Sequence, residues 1–129
     1  MLLKSNPFNG QRLWYLATVY TSHPGGMEVG YKEACEQAHL LLSNGIPVFC
    51  PISHGHGIQN AGTTLPHTYD VWLNLDDYFL DMCEGVIVCQ MPGIEKSKGV
   101  AYEVGFARAL GKPVIYMTPS VIPVLPTND

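Results

Sequence analysis

Four short apolar segments, 13–19, 47–50, 85–89 and 113–117, alternate with stretches of helical periodicity, and this alternation constrains the fold more than any other feature. Each segment is rich in β-branched, aromatic or other apolar residues with no polar partner at every second position. That is the pattern of strands buried on both faces, as in a parallel sheet. Between them, 27–44 reads as a helix ended by Gly45, 70–83 as a second helix, and 98–110 as a third that stops at Gly111 ahead of Pro113. Strands separated by helices predict a doubly wound α/β domain with right-handed crossovers. In such a sheet the ligand lies beyond the carboxyl ends of the strands. Attention therefore falls on 18–26, 51–67, the start of the helix carrying Asp76, and 91–103.

A chain of 129 residues with 47% hydrophobic content is long enough to bury one core without disulfides or metal as staples, so a single domain is expected. Residues 1–11 read as a leader and 119–129 as a Pro-rich tail or a strap over a neighbouring subunit. No apolar run approaches the roughly 18 residues of a membrane span, and the N-terminus lacks signal-peptide character, so a cytoplasmic protein without membrane contact is expected. A net charge of −4 with seven Lys and Arg argues against a nucleic-acid polymer as partner and leaves free nucleotides open. Cys35, Cys50, Cys83 and Cys89 form no Cys-x-x-Cys pair and read as reduced core cysteines. No metal and no cofactor is expected.

Glu103 shares its helical stripe with Val100, Ala107 and Leu110, the stripe that should face the sheet. An unpaired buried carboxylate costs several kcal/mol (roughly), so a chain that places one there holds it with a partner or uses it. Ser97 has the position of an N-cap, and its hydroxyl, the free N–H groups of the helix start and Gly99 also suit a phosphate. Asp76 stands three, four and seven residues from Phe79, Leu80 and Cys83, so it points inward more than Asp77 does. A grip on substrate hydroxyls or on Glu103 is expected of Asp76, and a surface position of Asp77. The first loop, with Thr18 and Tyr20, has hydroxyls and glycines to wrap a base or a phosphate but neither a dinucleotide fingerprint nor a P-loop lysine. The His54-x-His56 pair invites a metal reading, yet a third ligand is lacking, and polar contacts from His54 to substrate are expected instead.

Taken together, Leu13–Ala17, Pro51–His54, Asp76 ahead of Cys83-Glu84, and Ser97-x-Gly-x-x-x-Glu103-x-Gly-x-Ala-x-Ala-x-Gly-Lys-Pro113 resemble the nucleoside 2-deoxyribosyltransferase superfamily. The closest branch looks like an uncharacterised domain family of bacterial and phage proteins. The resemblance covers roughly 13–117, and the last motif is its most specific part. It implies a single Rossmann-like or flavodoxin-like domain with a mostly parallel sheet of about five strands. It also implies cleavage or exchange at an N-glycosidic bond through a covalent glycosyl intermediate on Glu103. In Asp76 it implies the family's helix aspartate, with Asp77 a possible substitute, and in Tyr20 an aromatic of the base or sugar pocket. Where deoxyribosyltransferases acting on free nucleosides have an aspartate six places before the glutamate, this chain has Ser97, like the 2′-deoxynucleoside 5′-phosphate N-hydrolases. The resemblance therefore implies a nucleoside 5′-monophosphate as the small-molecule partner. A pocket completed by a neighbouring subunit implies a homodimer or higher oligomer. The loop after the first strand departs from the family in Thr18 and Val19 and lacks the arginine some hydrolases use for phosphate. The alternative is a domain that binds nucleotide or ADP-ribose without turnover.

Overall fold

The computed structural model describes residues 6–62, 65 and 68–126; the end of the second loop through His67 and both termini lie outside them. The four apolar segments become β1 (Trp14–Ala17), β2 (Val48–Phe49), β3 (Val86–Cys89) and β4 (Val114–Met117). They supply four of the about five strands expected. All pairings are parallel and the order is β2-β1-β3-β4, with Tyr15 opposite Phe49 on one side and Val86 on the other. Each strand is shorter than its apolar run because the run's ends turn out of the ladder into loops.

Alternation along β1 builds two cores. Trp14 and Leu16 point to one face, where Ala34 and Leu41 of α1 (Met27–Ser43) meet them with Ile87, Cys89 and Met117. Tyr15 and Ala17 point to the other, against Leu80 of α3 (Thr68–Met82) and Val100 and Ala107 of α4 (Lys98–Ala109). Trp14 and Leu16 are almost wholly out of solvent, and side chains of that size gain about 1.5–3 kcal/mol each by such burial. The sheet permits no side chain at Gly85, since a Cβ there would stand 2.3 Å from the carbonyl oxygen of Pro113 and 2.7 Å from the Trp14 ring.

Two sequence expectations are corrected. Residues 51–59, read as loop, form the helix α2 (Pro51–Gln59), with Pro51 at its first turn, where proline's fixed φ and missing N–H do no harm. Leu110, expected in the sheet-facing stripe of α4, caps the helix and is exposed. The described part of the 119–129 segment also makes contacts with its own chain. The buried amide of Gln37 accepts from the Ser120 N–H at 2.8 Å and donates to the Ser120 hydroxyl at 3.3 Å, while Leu125 packs on the α1 core. Cys50, Cys83 and Cys89 are buried and Cys35 half-buried, all as free thiols. Among the described residues no helix is long and apolar enough to cross a membrane.

The order β2-β1-β3 makes the chain leave β1 toward one side and return to pair on the other. A crevice opens where the direction reverses, at the carboxyl ends of β1 and β3. The loops that leave those ends lead into α1 and α4.

Candidate active site

The two loops at the reversal are fastened to each other. Gly93 adopts φ +88°, and a Cβ there would lie 2.3 Å from the Ser22 carbonyl oxygen, so only glycine allows this approach. The Ser22 hydroxyl donates to the Gly93 carbonyl at 3.0 Å. Within the first loop His23 is buried. It accepts from the Gly25 N–H at Nδ1 and meets Glu33 at 2.9 Å through Nε2, which fixes the entry to α1.

Above these loops lies a cleft of about 1170 Å³ with walls from both loops and from α1, α2, α3 and α4. Glu103, Asp76, Asp77, Tyr20, Thr18, Ser97 and Gly99 all line it. Glu103 sits on the second turn of α4. The hydroxyl of the wholly buried Tyr15 donates to its Oε2, which leaves Oε1 free of that bond. Burial pushes the Glu103 carboxyl up to about 8; the Tyr15 hydrogen bond works against this, and the charges of Asp76 and then Asp77 add to it. The Tyr15 phenol is driven far above its usual range, first by burial and then by Glu103 and Asp76. It therefore acts as a donor and not as an acid.

Asp76 is pushed up to about 7 by burial and then by Asp77. Its Oδ1 is buried and has no hydrogen-bond partner among the described residues, and the same holds for Thr18 Oγ1. Buried polar atoms of this kind seldom go unpaired, and both belong to residues of the cleft lining. A ligand carrying several hydroxyls would satisfy them. Asp77 is differently placed, since it accepts from the Tyr102 hydroxyl at 2.9 Å at the exposed rim.

Ser97 is the N-cap of α4: its Oγ accepts from the Val100 N–H at 3.2 Å. The bond uses an oxygen lone pair and leaves the hydroxyl proton free to donate. The first N–H groups of the helix have no carbonyl partner, and nothing stands within 4 Å of where a Gly99 Cβ would be. Lys98 belongs to the same wall. Ser97, Lys98 and Gly99 thus stand on the same cleft wall as Glu103.

His54 is not in the lining. In α2 residues two apart point about 200° away from each other, so the two histidines that would share a face in a strand separate. His56 turns to the cleft, while His54 is solvent-exposed and rests against Phe49 and Phe79. Among the described residues no three of His, Cys, Asp or Glu gather as a metal-holding group. Sequence reasoning missed Tyr15 as a site residue, along with Trp72, Gln59 and Asn60. A signal for Tyr15 existed, because a phenol in a doubly buried strand must find a partner for its hydroxyl.

Residues 12–119 match the profile of a family described as a domain of unknown function, DUF1937. The chain belongs to this family. No curated protein matches it. Among solved structures, this DUF1937 chain is similar to the 2-deoxyribosyltransferase of the psychrotolerant bacterium Bacillus psychrosaccharolyticus, with a TM-score of 0.60 and 19% identity over 88% of this chain and 77% of that one. At that identity the likeness shows the shared fold: a parallel α/β sheet flanked by helices.

Proposed function

We propose that this DUF1937 protein is an enzyme of glycosyl transfer at the N-glycosidic bond of a deoxynucleoside 5′-monophosphate, with Glu103 as nucleophile. The observation that carries the reading is the Glu103 carboxylate, held by a buried phenol at the switch-point cleft beside the orphaned oxygen of Asp76. The fold it shares with a 2-deoxyribosyltransferase supports the same reaction class.

The chemistry follows from the arrangement. Asp76 accepts a sugar hydroxyl and Ser97, Gly99 and Lys98 hold the 5′-phosphate, which sets C1′ over Glu103. As the C1′–N bond breaks, its electron pair leaves with the base, positive charge builds on C1′, and a Glu103 oxygen closes on that carbon to form an ester. A carboxyl raised by burial is stabilised as an anion when a cation develops beside it, so the interaction is strongest in the transition state. Water or a second base then attacks C1′ and frees Glu103. Thr18 and Tyr20 line the part of the cleft on the β1 side, and Asp77 with Tyr102 forms its rim. The exposed Tyr69 and Tyr102 of the cleft lining support a partner subunit there.

The test is a panel of deoxynucleosides and their 5′-monophosphates, each with and without a second free base, analysed by chromatography. Release of base from monophosphates, abolished in Glu103→Ala, is expected. Release without a second base identifies hydrolysis, and exchange only in its presence identifies transfer. A nucleotide-induced rise in melting temperature with no turnover, unchanged in Glu103→Ala, would replace this reading by a binding domain.

A further inference from the structure

A second polar cluster lines the same cleft and does not touch Glu103. The Tyr20 hydroxyl stands 2.7 Å from Nδ1 of His56, and Nε2 of the same ring stands 2.8 Å from Oε1 of Glu28 in the first turn of α1. A carboxylate can only accept, so Nε2 carries the hydrogen and Nδ1 accepts from the phenol. The Asn60 amide nitrogen Nδ2 lies 3.1 Å from the same Nε2. Tyr31 stacks on the imidazole with ring centres 4.0 Å apart and planes 17° off parallel. The ring is fixed in position and tautomer.

The cluster also has a direction. The His56 side chain is 9% exposed and that of Glu28 77%. A line of hydrogen bonds thus runs from solvent at Glu28, through a buried imidazole, to a phenol on the cleft wall. Burial, and then Glu28, hold the Tyr20 phenol above its usual range, so it keeps its own proton unless it receives another.

We propose that Tyr20, His56 and Glu28 form a proton relay to the departing base, in which Tyr20 meets the base and His56 and Glu28 are positioning residues behind it. The proposal rests on the N-glycosidic reading above. A base that leaves as an anion into a partly apolar cleft is costly, and a positioned proton donor removes that cost. In the imidazolium form Nδ1–H of His56 donates to Tyr20, which turns the phenolic hydrogen outward. As the C1′–N bond breaks, its electron pair moves onto the base nitrogen and that nitrogen takes the Tyr20 proton. Tyr20 recovers one from Nδ1, and His56 ends neutral with Nε2–H still on Glu28. In hydrolysis the ring regains its proton from solvent by way of Glu28. In transfer it takes the proton that the incoming base gives up.

The experiment compares two leaving groups in wild type and in His56→Ala. One substrate is an ordinary deoxynucleoside monophosphate; the other is the 4-nitrophenyl 2-deoxyriboside 5′-phosphate, whose leaving group departs as a stable anion. Expected is a fall in kcat of about 10²–10⁴-fold on the nucleotide, with a loss on the aryl glycoside smaller by at least about tenfold and partial rescue of the nucleotide reaction by added imidazole. Glu28→Gln, a change at an exposed position, reports the same selectivity at roughly tenfold should His56→Ala fail to fold. Equal losses on both substrates, or none on the nucleotide, would overturn the relay while leaving Glu103 chemistry intact. Cleavage of neither substrate by wild type would overturn the N-glycosidic reading itself, and the relay with it.

Discussion

Glu103→Gln is predicted to make the protein more stable at high pH while removing its activity. Glutamine keeps the length of the side chain, and its amide oxygen can still accept from Tyr15, so the substitution deletes a charge and little else. The Glu103 carboxyl is raised from 4.5 to about 8, mainly by burial. A carboxyl whose folded value lies above its unfolded value holds its proton longer in the folded state. Below 4.5 both states are protonated and the group is neutral toward stability. Between 4.5 and 8 the unfolded chain ionises first, so folding loses stability as pH rises, and above 8 the loss levels off. At 1.36 kcal/mol per pH unit the gap sets a ceiling of roughly 5 kcal/mol. Asp76, itself raised to about 7, titrates together with Glu103, and discounting for that coupling leaves about 2–3 kcal/mol. For a domain of this size that is a melting-temperature gain of roughly 10 °C at pH 9, shrinking to within about 1 kcal/mol of wild type at pH 5. Thermal unfolding followed by circular dichroism at the two pH values measures it. A difference independent of pH, or a variant less stable than wild type at pH 9, would refute the argument that the cleft holds this carboxylate at a cost to folding.

Further expectations concern the groups around it. Tyr15→Phe removes the one contact that lowers the Glu103 carboxyl; the rising limb of kcat/KM against pH should move above about 8, and kcat should fall about 10-fold or more, as for loss of a hydrogen bond to a charged group. Ser97→Ala takes the cap from α4 and should cost about 1 kcal/mol in urea unfolding, while raising KM for a monophosphate more than for its nucleoside. Lys112 closes the end of α3, the helix that carries Asp76: its Nζ donates to the carbonyl oxygens of Asp81, of Cys83 at 2.6 Å and of Leu80 at 3.3 Å. Lys112→Met should destabilise by about 1–3 kcal/mol without changing the pH profile of turnover.

The parts of this molecule that repeat with a simple period were legible before any coordinates. Doubly apolar runs at 13–19 and 85–89 became the two inner strands, while the equally apolar 113–117 lies at the sheet edge with Tyr116 exposed, and Glu103 was conspicuous because a carboxylate interrupts the sheet-facing stripe of α4. Ser97 and Asp76 were found by the same logic of helix start and helix face. What stayed hidden depended on conformation that composition does not reveal. Four glycine or histidine positions among residues 51–59 disguise α2, which is held by packing rather than propensity: Ile52 joins the α1-side core, and the Trp72 ring lies 3.4 Å from where a Gly55 Cβ would be, with its indole N–H donating to Gln59 at 2.6 Å. With the helix unread, the wrong histidine was assigned to the cleft, and the partnership of Tyr20, His56 and Glu28 was out of reach. Tyr15 was hidden by being read as core, which it is on every side but its hydroxyl.

The most direct test of the central claim is the intact mass of the protein, acid-quenched during turnover of a deoxynucleoside 5′-monophosphate and followed by peptide mapping. The account predicts a fraction of chains heavier by one 2-deoxyribosyl 5-phosphate group, the addition on Glu103 and absent from Glu103→Gln. Release of base with no adduct at any quench time, together with continued release by Glu103→Gln, would contradict it.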